Sequence, residues 1–182
     1  MIFAVVGPSG AGKDTLIAGA RRARPGLRLA RRVITRPTDA GGEDFEGVTP
    51  EDFAARKARG EFALDWDAHG LSYGIPRAQV QGRGDVIFNG SRAALERAQA
   101  VFPDLRVIVV TAPPGVLAAR LAARGRETPG DIAERLDRAG FDLPDGTHAT
   151  TVMNDATPEA GVARLLAALD AAAAETETQD HR

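Results

Sequence analysis

The residues with the clearest chemical signature lie near the start of the chain, where glycines at positions 7, 10 and 12 precede Lys13. Glycine has no Cβ atom, so glycines at this spacing allow the backbone to curl tightly and to direct successive N–H groups at phosphate oxygens. A lysine directly after them can reach the terminal phosphates as a mobile positive charge. We therefore predict a phosphate-binding loop, made of Gly7, Pro8, Ser9, Gly10, Ala11, Gly12, Lys13, Asp14 and Thr15.

The elements on either side of these residues fit such a loop. An apolar run over 2–6 comes before it and is typical of a strand buried on both faces. Leu16, Ile17 and Ala20 follow at helical spacing, so a helix should begin at the end of the loop. The positive end of its dipole and its unpaired N–H groups would favour an anion. The structural alternative is a glycine-rich turn that ends in lysine by coincidence.

Two residues after the glycines could bind a metal ion. Asp14 stands where a hydroxyl residue is usual in such loops, and the hydroxyl of Thr15 comes one position later. A carboxylate is a good ligand for Mg²⁺, but it adds negative charge beside a polyphosphate and should function only with the metal present. We expect Mg²⁺ as a cofactor, with Asp14 or Thr15 as its partner, directly or through water.

Composition limits the possible classes of protein. The 182 residues suit one domain with small appended lobes, and the hydrophobic share of 43% is ordinary for a globular protein. A net charge of −2 gives no reason to expect nucleic-acid or membrane binding, so we expect small-molecule partners. The absence of cysteine excludes disulfides and fits the cytoplasm. The N-terminus resembles neither a signal peptide nor a membrane span, and the oligomeric state is not determined.

Strand and helix patterns alternate along the chain, which predicts an α/β fold with a parallel sheet flanked by helices. The predicted strands cover 2–6, 33–35, 62–68, a segment within 71–76, 85–89, 105–110 and 150–154. The predicted helices cover 13 to about 24, a short helix from Pro50 capped by Thr49, 91–100, 116–123, a segment with Arg135 and Arg138, and 158–174. We expect 36–43 to be a polar loop and 175–182 to be a disordered tail.

These elements resemble the nucleoside-monophosphate kinase family, and its guanylate kinase branch in particular, over nearly the whole chain. The matching segments are 7–13, 35–36, 60–62 and 73–74. The differences concern the nucleotide: Leu64 stands where that branch has a guanine-binding glutamate, Asn89 and Ser91 replace aspartates, Phe45 replaces a phosphate-binding tyrosine, and 38–39 lacks an arginine. An apolar side chain cannot accept the hydrogen bonds of guanine, so guanine recognition should be absent.

A closer resemblance is to the ribose 1,5-bisphosphate phosphokinases of phosphonate catabolism. Its segments are 7–14, 33–36, 66–74, 89–92 and 124–127, of which Lys13-Asp14 and 89–92 are the most discriminating. The resemblance implies a single P-loop kinase domain over 1–182, with an acceptor-binding lobe at 36–83 and a lid at 120–138. It also implies transfer of the γ-phosphoryl group of ATP to the 1-phosphate of ribose 1,5-bisphosphate, giving 5-phospho-α-D-ribose 1-diphosphate (PRPP).

On this interpretation each group of polar residues has a role. Lys13 would hold the ATP phosphates, and a lid of arginines would close over the transferred group; the catalytic residues would be Lys13, Arg124, Arg126 and Arg135. The expected acceptor-binding residues are Arg32, Arg36, Tyr73, Asn89, Ser91 and Arg92. Each lid arginine could instead belong to a solvated basic helix face.

Some alternatives stay open. The acceptor could be a nucleoside monophosphate, or the chain could be a non-catalytic guanylate-kinase-like binding module. Trp66 and Phe62 fit the core of the acceptor lobe better than a stacking platform, whereas His69 could be structural or could contact the acceptor. Asn154 is the one candidate for a contact with adenine.

Overall fold

Two sheets organise the chain, and the larger one positions the glycine loop. The structure, a computed structural model, describes residues 1–38, 44–123, 130 and 143–179. Its helices are α1 (Lys13–Ala23), α2 (Pro50–Ala58), α3 (Arg77–Val80), α4 (Leu95–Val101), α5 (Pro114–Ala123) and α6 (Pro158–Gln179). Its strands are β1 (Ile2–Val6), β2 (Arg28–Leu29), β3 (Arg32–Ile34), β4 (Phe45–Gly47), β5 (Phe62–Ala68), β6 (Leu71–Pro76), β7 (Val86–Asn89), β8 (Leu105–Thr111) and β9 (Ala149–Met153).

The larger sheet has the order β2-β7-β1-β8-β9, and all of its strand pairs are parallel. In its central strand, β1, residues 3–6 are fully buried because both faces carry apolar side chains that pack into different cores. Phe3 and Val5 contact the core under α1 and α6, whereas Ala4 and Val6 contact the core under α4. Parallel sheets are covered on both faces in this way, and β1 therefore delivers the glycine loop to the carboxyl edge of the sheet.

Helix α1 continues directly from the glycine loop and is held against α6. Leu16, Ile17 and Ala20 form its buried face, as the helical spacing predicted, and they pack with Leu165 and Leu169 of α6. The helix ends at Arg24, whose backbone N–H donates to the carbonyl of Ala20. Packing along this face fixes the direction of the α1 N-terminus relative to the sheet.

The smaller sheet forms the lobe predicted to bind the acceptor, in the order β4-β3-β6-β5. β5 and β6 form an antiparallel hairpin in which Ala68 pairs with Leu71. His69 and Gly70 make the turn between them, both with positive φ, which is the geometry of a two-residue hairpin turn. His69 therefore forms part of the hairpin turn, and its contact with the acceptor stays a prediction. Thr49 caps α2 by accepting a hydrogen bond from the backbone N–H of Asp52, as predicted.

The structure confirms most of the predicted elements and changes three of them. β4 lies just after the segment predicted to be a polar loop, and it forms because its backbone pairs in parallel with β3. A 3₁₀ turn over Arg92–Ala94 precedes α4, so the helix begins later than position 91. α6 runs on to Gln179, and residues 175–179 are therefore helical, contrary to the disordered tail that was expected. Extending an existing helix needs no new nucleation, and glutamate is a good helix former. Among the described helices, none is long and apolar enough to cross a membrane.

Asp65 connects the lobe to the main body. This carboxylate on β5 accepts hydrogen bonds from Lys57 Nζ of α2 at 2.5 Å and from Arg97 Nη2 of α4 at 3.1 Å. Burial alone would raise the pKa of Asp65, but the hydrogen bonds and charges of Lys57 and Arg97 outweigh it and lower the pKa below its usual range. The ionised form of Asp65 is thus stabilised by folding.

Replacing Asp65 by asparagine should therefore destabilise the protein in a pH-dependent way. At neutral pH we expect a loss of about 1 kcal/mol in the free energy of unfolding, since these charged hydrogen bonds are partly screened by solvent. A lowered folded-state pKa contributes stability at pH values above the unfolded pKa, and this contribution disappears as the pH falls through the folded pKa. Urea denaturation of wild type and Asp65→Asn should give a difference that shrinks in acid. Asp104→Asn, an exposed control, should show no such difference at either pH.

Candidate active site

One cavity of about 820 Å³ lies between the glycine loop and the lobe. The loop and the start of α1 form one wall, the β5–β6 hairpin with the end of β3 forms the second, and the end of β7 forms the third. The lining residues predicted as part of the site are Gly7, Pro8, Ser9, Gly10, Gly12, Lys13, Asp14, Arg32, Arg36, Tyr73, Asn89, Ser91 and Arg92. The structure thus brings the predicted phosphate loop and the predicted acceptor residues together.

The shape of the glycine loop depends on residues without a Cβ atom. Gly7 has φ = 146°, and a Cβ atom built on it would lie 1.9 Å from the carbonyl oxygen of Val110 on β8. Gly12 caps α1 with φ = 87°, and a Cβ atom there would lie 2.6 Å from the side-chain nitrogen of Asn154. Both positions exclude a larger residue. The loop therefore lies directly against the sheet, with the N-terminus of α1 at the cavity.

The carbonyls of the loop are bound by side chains. Lys13 Nζ donates to the carbonyl oxygens of Gly7 and Pro8, at 2.8 and 3.1 Å. Arg120 Nη1 of α5 donates to the Gly10 carbonyl at 3.5 Å. These contacts hold positive charge against the loop, where it can compensate the charge of a bound polyphosphate.

Asn154 supports the loop from below and does not contact a base. Its side chain is only 5% exposed, and its Nδ2 atom donates to the carbonyl of Ala11 at 2.7 Å. The expected adenine contact is therefore wrong, because this amide is enclosed between the loop and α6. Ala11 is itself fully buried and lies under the loop, outside the cavity lining. The position of Asn154 at the carboxyl end of a strand beside the loop was the signal that could have indicated this role.

Of the two residues predicted to bind Mg²⁺, Asp14 lies in the cavity and Thr15 lies outside it. Asp14 lines the cavity and accepts a hydrogen bond from Asn89 Nδ2 at 2.5 Å, whereas Thr15 is exposed and lines two other pockets. Asn89 is 7% exposed, and its buried Oδ1 atom accepts no hydrogen bond from the described residues. Oxygens of this kind suit Mg²⁺, which is usually held by one or two protein oxygens together with substrate phosphates.

The described part of the chain has no group of three or more acidic, histidine or cysteine side chains that could hold a metal alone. This arrangement fits a magnesium ion that arrives with a nucleotide, because the phosphates would complete its oxygen ligands. The residues present therefore fit a magnesium-nucleotide complex at Asp14.

Arginines give the lobe side of the cavity its charge. Arg32 is 9% exposed, and its guanidinium lies 5.3 Å from the ring centre of Tyr73. The guanidinium of Arg36 lies 4.2 Å from the ring centre of Phe45. Stacking on an aromatic ring orients a guanidinium without neutralising it. Burial lowers the pKa of Arg92, but an arginine remains charged at neutral pH. Arg32 and Arg36 are thus oriented cations on the lobe wall, and Arg92 adds a third positive charge beyond the end of β7.

The position at which guanylate kinases have a guanine-binding glutamate is buried and apolar here. Leu64 is 1% exposed and packs into the core with Trp66 and Ile75, outside the cavity lining. Trp66 and Phe62 are also buried, as predicted for core residues, and Trp66 stacks on Tyr73 with ring centres 5.3 Å apart. The described lobe offers no glutamate to a base at position 64, and it contributes Arg32 and Arg36, which suit phosphates, to the cavity.

Sequence reasoning gave no role to the acidic lining residue Asp67, and it named some residues that lie outside the described part of the chain. Asp67 lines the cavity, and the hydroxyl of Ser72 donates to its Oδ1 at 2.6 Å. Asp67 lies in the matching segment 66–74, but no role was assigned to it because it belongs to an alternating strand. The lid arginines Arg124, Arg126 and Arg135 lie outside the described residues.

A glycine loop that joins a central parallel strand to a helix, with a lysine at the helix start and a basic lobe opposite, defines a P-loop kinase fold. Solved structures agree. A guanylate kinase from Anaplasma phagocytophilum superposes with a TM-score of 0.62 at 16% identity, covering 88% of this chain and 80% of its own. A gluconokinase from Sinorhizobium meliloti 1021 superposes with a TM-score of 0.57 at 18% identity, covering 97% of this chain and 95% of its own.

Sequence comparison identifies the family within that class. The ribose 1,5-bisphosphate phosphokinase PhnN of Ruegeria sp. strain TM1040 is 54% identical over 148 residues, covering 80% of this chain and 78% of its own. The PhnN protein of Rhizobium etli strain CIAT 652 is 47% identical over 182 residues, covering 96% and 92%. The chain belongs to the ribose 1,5-bisphosphate phosphokinase family.

Other relatives are longer. A bifunctional ribose 1,5-bisphosphokinase-thymidine phosphorylase of Cupriavidus necator strain H16 is 50% identical over 171 residues, and the chain spans only 28% of its length. No family model matches the chain.

The hydrogen bond from Asn154 to the loop should contribute to stability. Asn154→Ala would leave the Ala11 carbonyl buried without its partner, so we expect a loss of about 1–3 kcal/mol in the free energy of unfolding. The side chain in Asn154→Asp has nearly the same shape, but an oxygen replaces the donor. This variant should lose at least as much free energy of unfolding as Asn154→Ala. Denaturant titration of the three proteins measures both values. Unchanged stability in both variants would show that this hydrogen bond does not hold the loop.

Proposed function

We propose that the chain transfers the γ-phosphoryl group of ATP to the 1-phosphate of ribose 1,5-bisphosphate, forming PRPP and ADP. The observation that carries this proposal is the cavity that brings the glycine loop together with Arg32, Arg36 and Arg92, while a buried leucine stands at position 64 in place of a base-binding glutamate. The family relatives named for the same phosphokinase activity support it. The resemblance to the ribose 1,5-bisphosphate phosphokinases implies a role in phosphonate catabolism.

In this reaction the protein contributes mainly by positioning the two substrates. An oxygen of the 1-phosphate, ionised at neutral pH, attacks the γ-phosphorus; the new P–O bond forms as the bond to the β,γ-bridging oxygen breaks and ADP leaves. Since no proton has to be removed from this nucleophile, no general base is needed. The absence of histidine from the proposed catalytic set agrees with this mechanism.

On the donor side, the loop would hold the β- and γ-phosphates with its backbone N–H groups and the positive end of α1. Lys13 would exchange its contacts with the Gly7 and Pro8 carbonyls for phosphate oxygens. Asp14, oriented by Asn89, would hold Mg²⁺ in preference to Thr15, which lies outside the cavity. Bound Mg²⁺ would neutralise charge on the β- and γ-phosphates.

On the acceptor side, the three cations match the two phosphates of the substrate. Arg32 and Arg36, each stacked on an aromatic ring, could bind phosphate through two parallel N–H groups. Arg92 would hold the 1-phosphate close to the loop, because it follows the strand adjacent to β1. Tyr73, Asn89 and Ser91 would bond the remaining phosphate or hydroxyl oxygens. From the resemblance, we propose that Arg124, Arg126 and Arg135 close over the transferred group and exclude water.

A nucleoside-monophosphate kinase is the second candidate, and the fold likeness to guanylate kinase favours it. The buried Leu64 argues against it, since the base would lose the partner expected there. A non-catalytic binding module is disfavoured by the intact loop and Lys13, which such a module would not need.

The first experiment tests the activity with the loop lysine. Wild type with ATP, Mg²⁺ and ribose 1,5-bisphosphate should form PRPP, measured by a coupled phosphoribosyltransferase, and GMP should give no ADP above blank. Lys13→Ala should lower kcat by about 10³-fold or more, because charge on the transferring group is no longer compensated. Arg83→Ala is a matched control, exposed and outside the described pockets. Comparable turnover of GMP, or ATP binding without PRPP formation, would refute the proposal.

The second experiment separates the acceptor site from the donor site. Arg36→Ala should raise the KM for ribose 1,5-bisphosphate about tenfold to a hundredfold, the expected cost of one charged hydrogen-bonding group. The KM for ATP should stay within about twofold, since Arg36 belongs to the lobe wall of the cavity. Initial rates over a grid of both substrates give both constants, with Arg83→Ala as control. A rise confined to the KM for ATP would contradict the placement of the acceptor.

A further inference from the structure

Asp67 is an unusual residue for the acceptor wall of a cavity that should bind two phosphates. Among the described residues that line the cavity, the acidic ones are Asp67 and Asp14, and Asp14 faces the loop side, where it pairs with Asn89. A carboxylate in the acceptor wall would repel a phosphate, and an ionised phosphate has no proton to donate to it. Its partner must therefore be a hydrogen-bond donor.

The hairpin holds Asp67 in a fixed position. Asp67 pairs with Ser72 across β5 and β6, and the Ser72 hydroxyl donates to Oδ1 of Asp67 at 2.6 Å. The backbone N–H of Ser72 in turn donates to the hydroxyl oxygen of Thr35 at 2.8 Å, and Thr35 directly precedes Arg36. One network thus connects the carboxylate to Thr35, the residue directly before Arg36, which is proposed to bind phosphate.

Asp67 remains accessible to a ligand. Its side chain is exposed, and Ser72 uses Oδ1. A carboxylate has two oxygens and about four acceptor sites, so further donors can bind while the serine keeps the group oriented.

We propose that Asp67 determines sugar specificity by accepting a hydrogen bond from a ring hydroxyl of the acceptor. The inference rests on the proposed function and identifies the part of the substrate that this wall contacts. In a ribose bisphosphate whose phosphates are ionised, the 2- and 3-hydroxyls are the groups able to donate. With the 1-phosphate on Arg92, the other phosphate on Arg32 and Arg36, and a hydroxyl on Asp67, the ring has one orientation in the cavity, and its 1-phosphate is directed at the glycine loop. A deoxy sugar that lacks the hydroxyl bound by Asp67 would not be held in this orientation.

The test compares three acceptors: ribose, 2-deoxyribose and 3-deoxyribose 1,5-bisphosphate. For wild type, kcat/KM should be roughly tenfold to a hundredfold higher for ribose than for one of the deoxy analogues, as expected for a hydrogen bond to a charged group. Asp67→Asn and Asp67→Ala should lower kcat/KM for ribose by roughly tenfold or more. They should leave the value for that analogue within about twofold, so that the selectivity ratio falls towards one.

Controls separate this role from a purely structural one. If Asp67 only stabilises the hairpin through Ser72, the variants will melt at lower temperature and lose activity equally on all three acceptors, which would overturn the proposal. Asp104→Asn, exposed in a turn, should keep the wild-type ratio. Wild-type activity without selectivity between the sugars would refute this inference alone, whereas absence of PRPP formation by wild type would refute the proposed function and this inference with it.

Discussion

The site depends on the hydrogen bond between Asn154 and the carbonyl of Ala11, together with the close contact of Gly7 with β8. In a trans peptide the N–H points opposite to the carbonyl. Because the buried amide holds the Ala11 carbonyl towards the interior, the N–H of Gly12 points the other way, towards the cavity that Gly12 lines. The core beneath the loop therefore determines which polar groups an anion meets, and Lys13 adds charge to a backbone already oriented for binding.

Charge is divided between the two walls of the cavity in a way that suits transfer between phosphates. Cations occur on both the loop side and the lobe side. Among the described lining residues, each side has one carboxylate with a hydrogen-bonding partner, Asp14 with Asn89 and Asp67 with Ser72. Two polyanions can approach each other only if their charges are compensated, and fixed arginines achieve this without reorganisation during the reaction. The same arrangement has little to offer a nucleobase, since the expected base-binding position, Leu64, belongs to the core.

Local patterns in the sequence predicted the loop, the parallel sheet and most of the cavity lining. β1 was predictable because a strand buried on both faces appears as a continuous apolar run in the sequence. α1 was predictable because its apolar residues recur at helical spacing. The roles of Asn154 and Asp67 were not, because each depends on a partner far away in sequence or across a hairpin, as with Ala11, which is 143 residues from Asn154. β4 was missed for a similar reason. Its backbone pairs with β3, although the sequence just before it is polar and rich in turn-forming residues.

The central claim is that a phosphate oxygen on C1 of a base-free sugar is the nucleophile. ³¹P NMR of wild-type protein with ATP, Mg²⁺ and ribose 1,5-bisphosphate tests it most directly, because every phosphorus in the reaction gives its own signal. We expect the C1 phosphomonoester signal to be replaced by two coupled diphosphate signals as ADP accumulates, while the C5 phosphate signal is unchanged. Accumulation of ADP with inorganic phosphate alone, or loss of the C5 signal in place of the C1 signal, would contradict the claim.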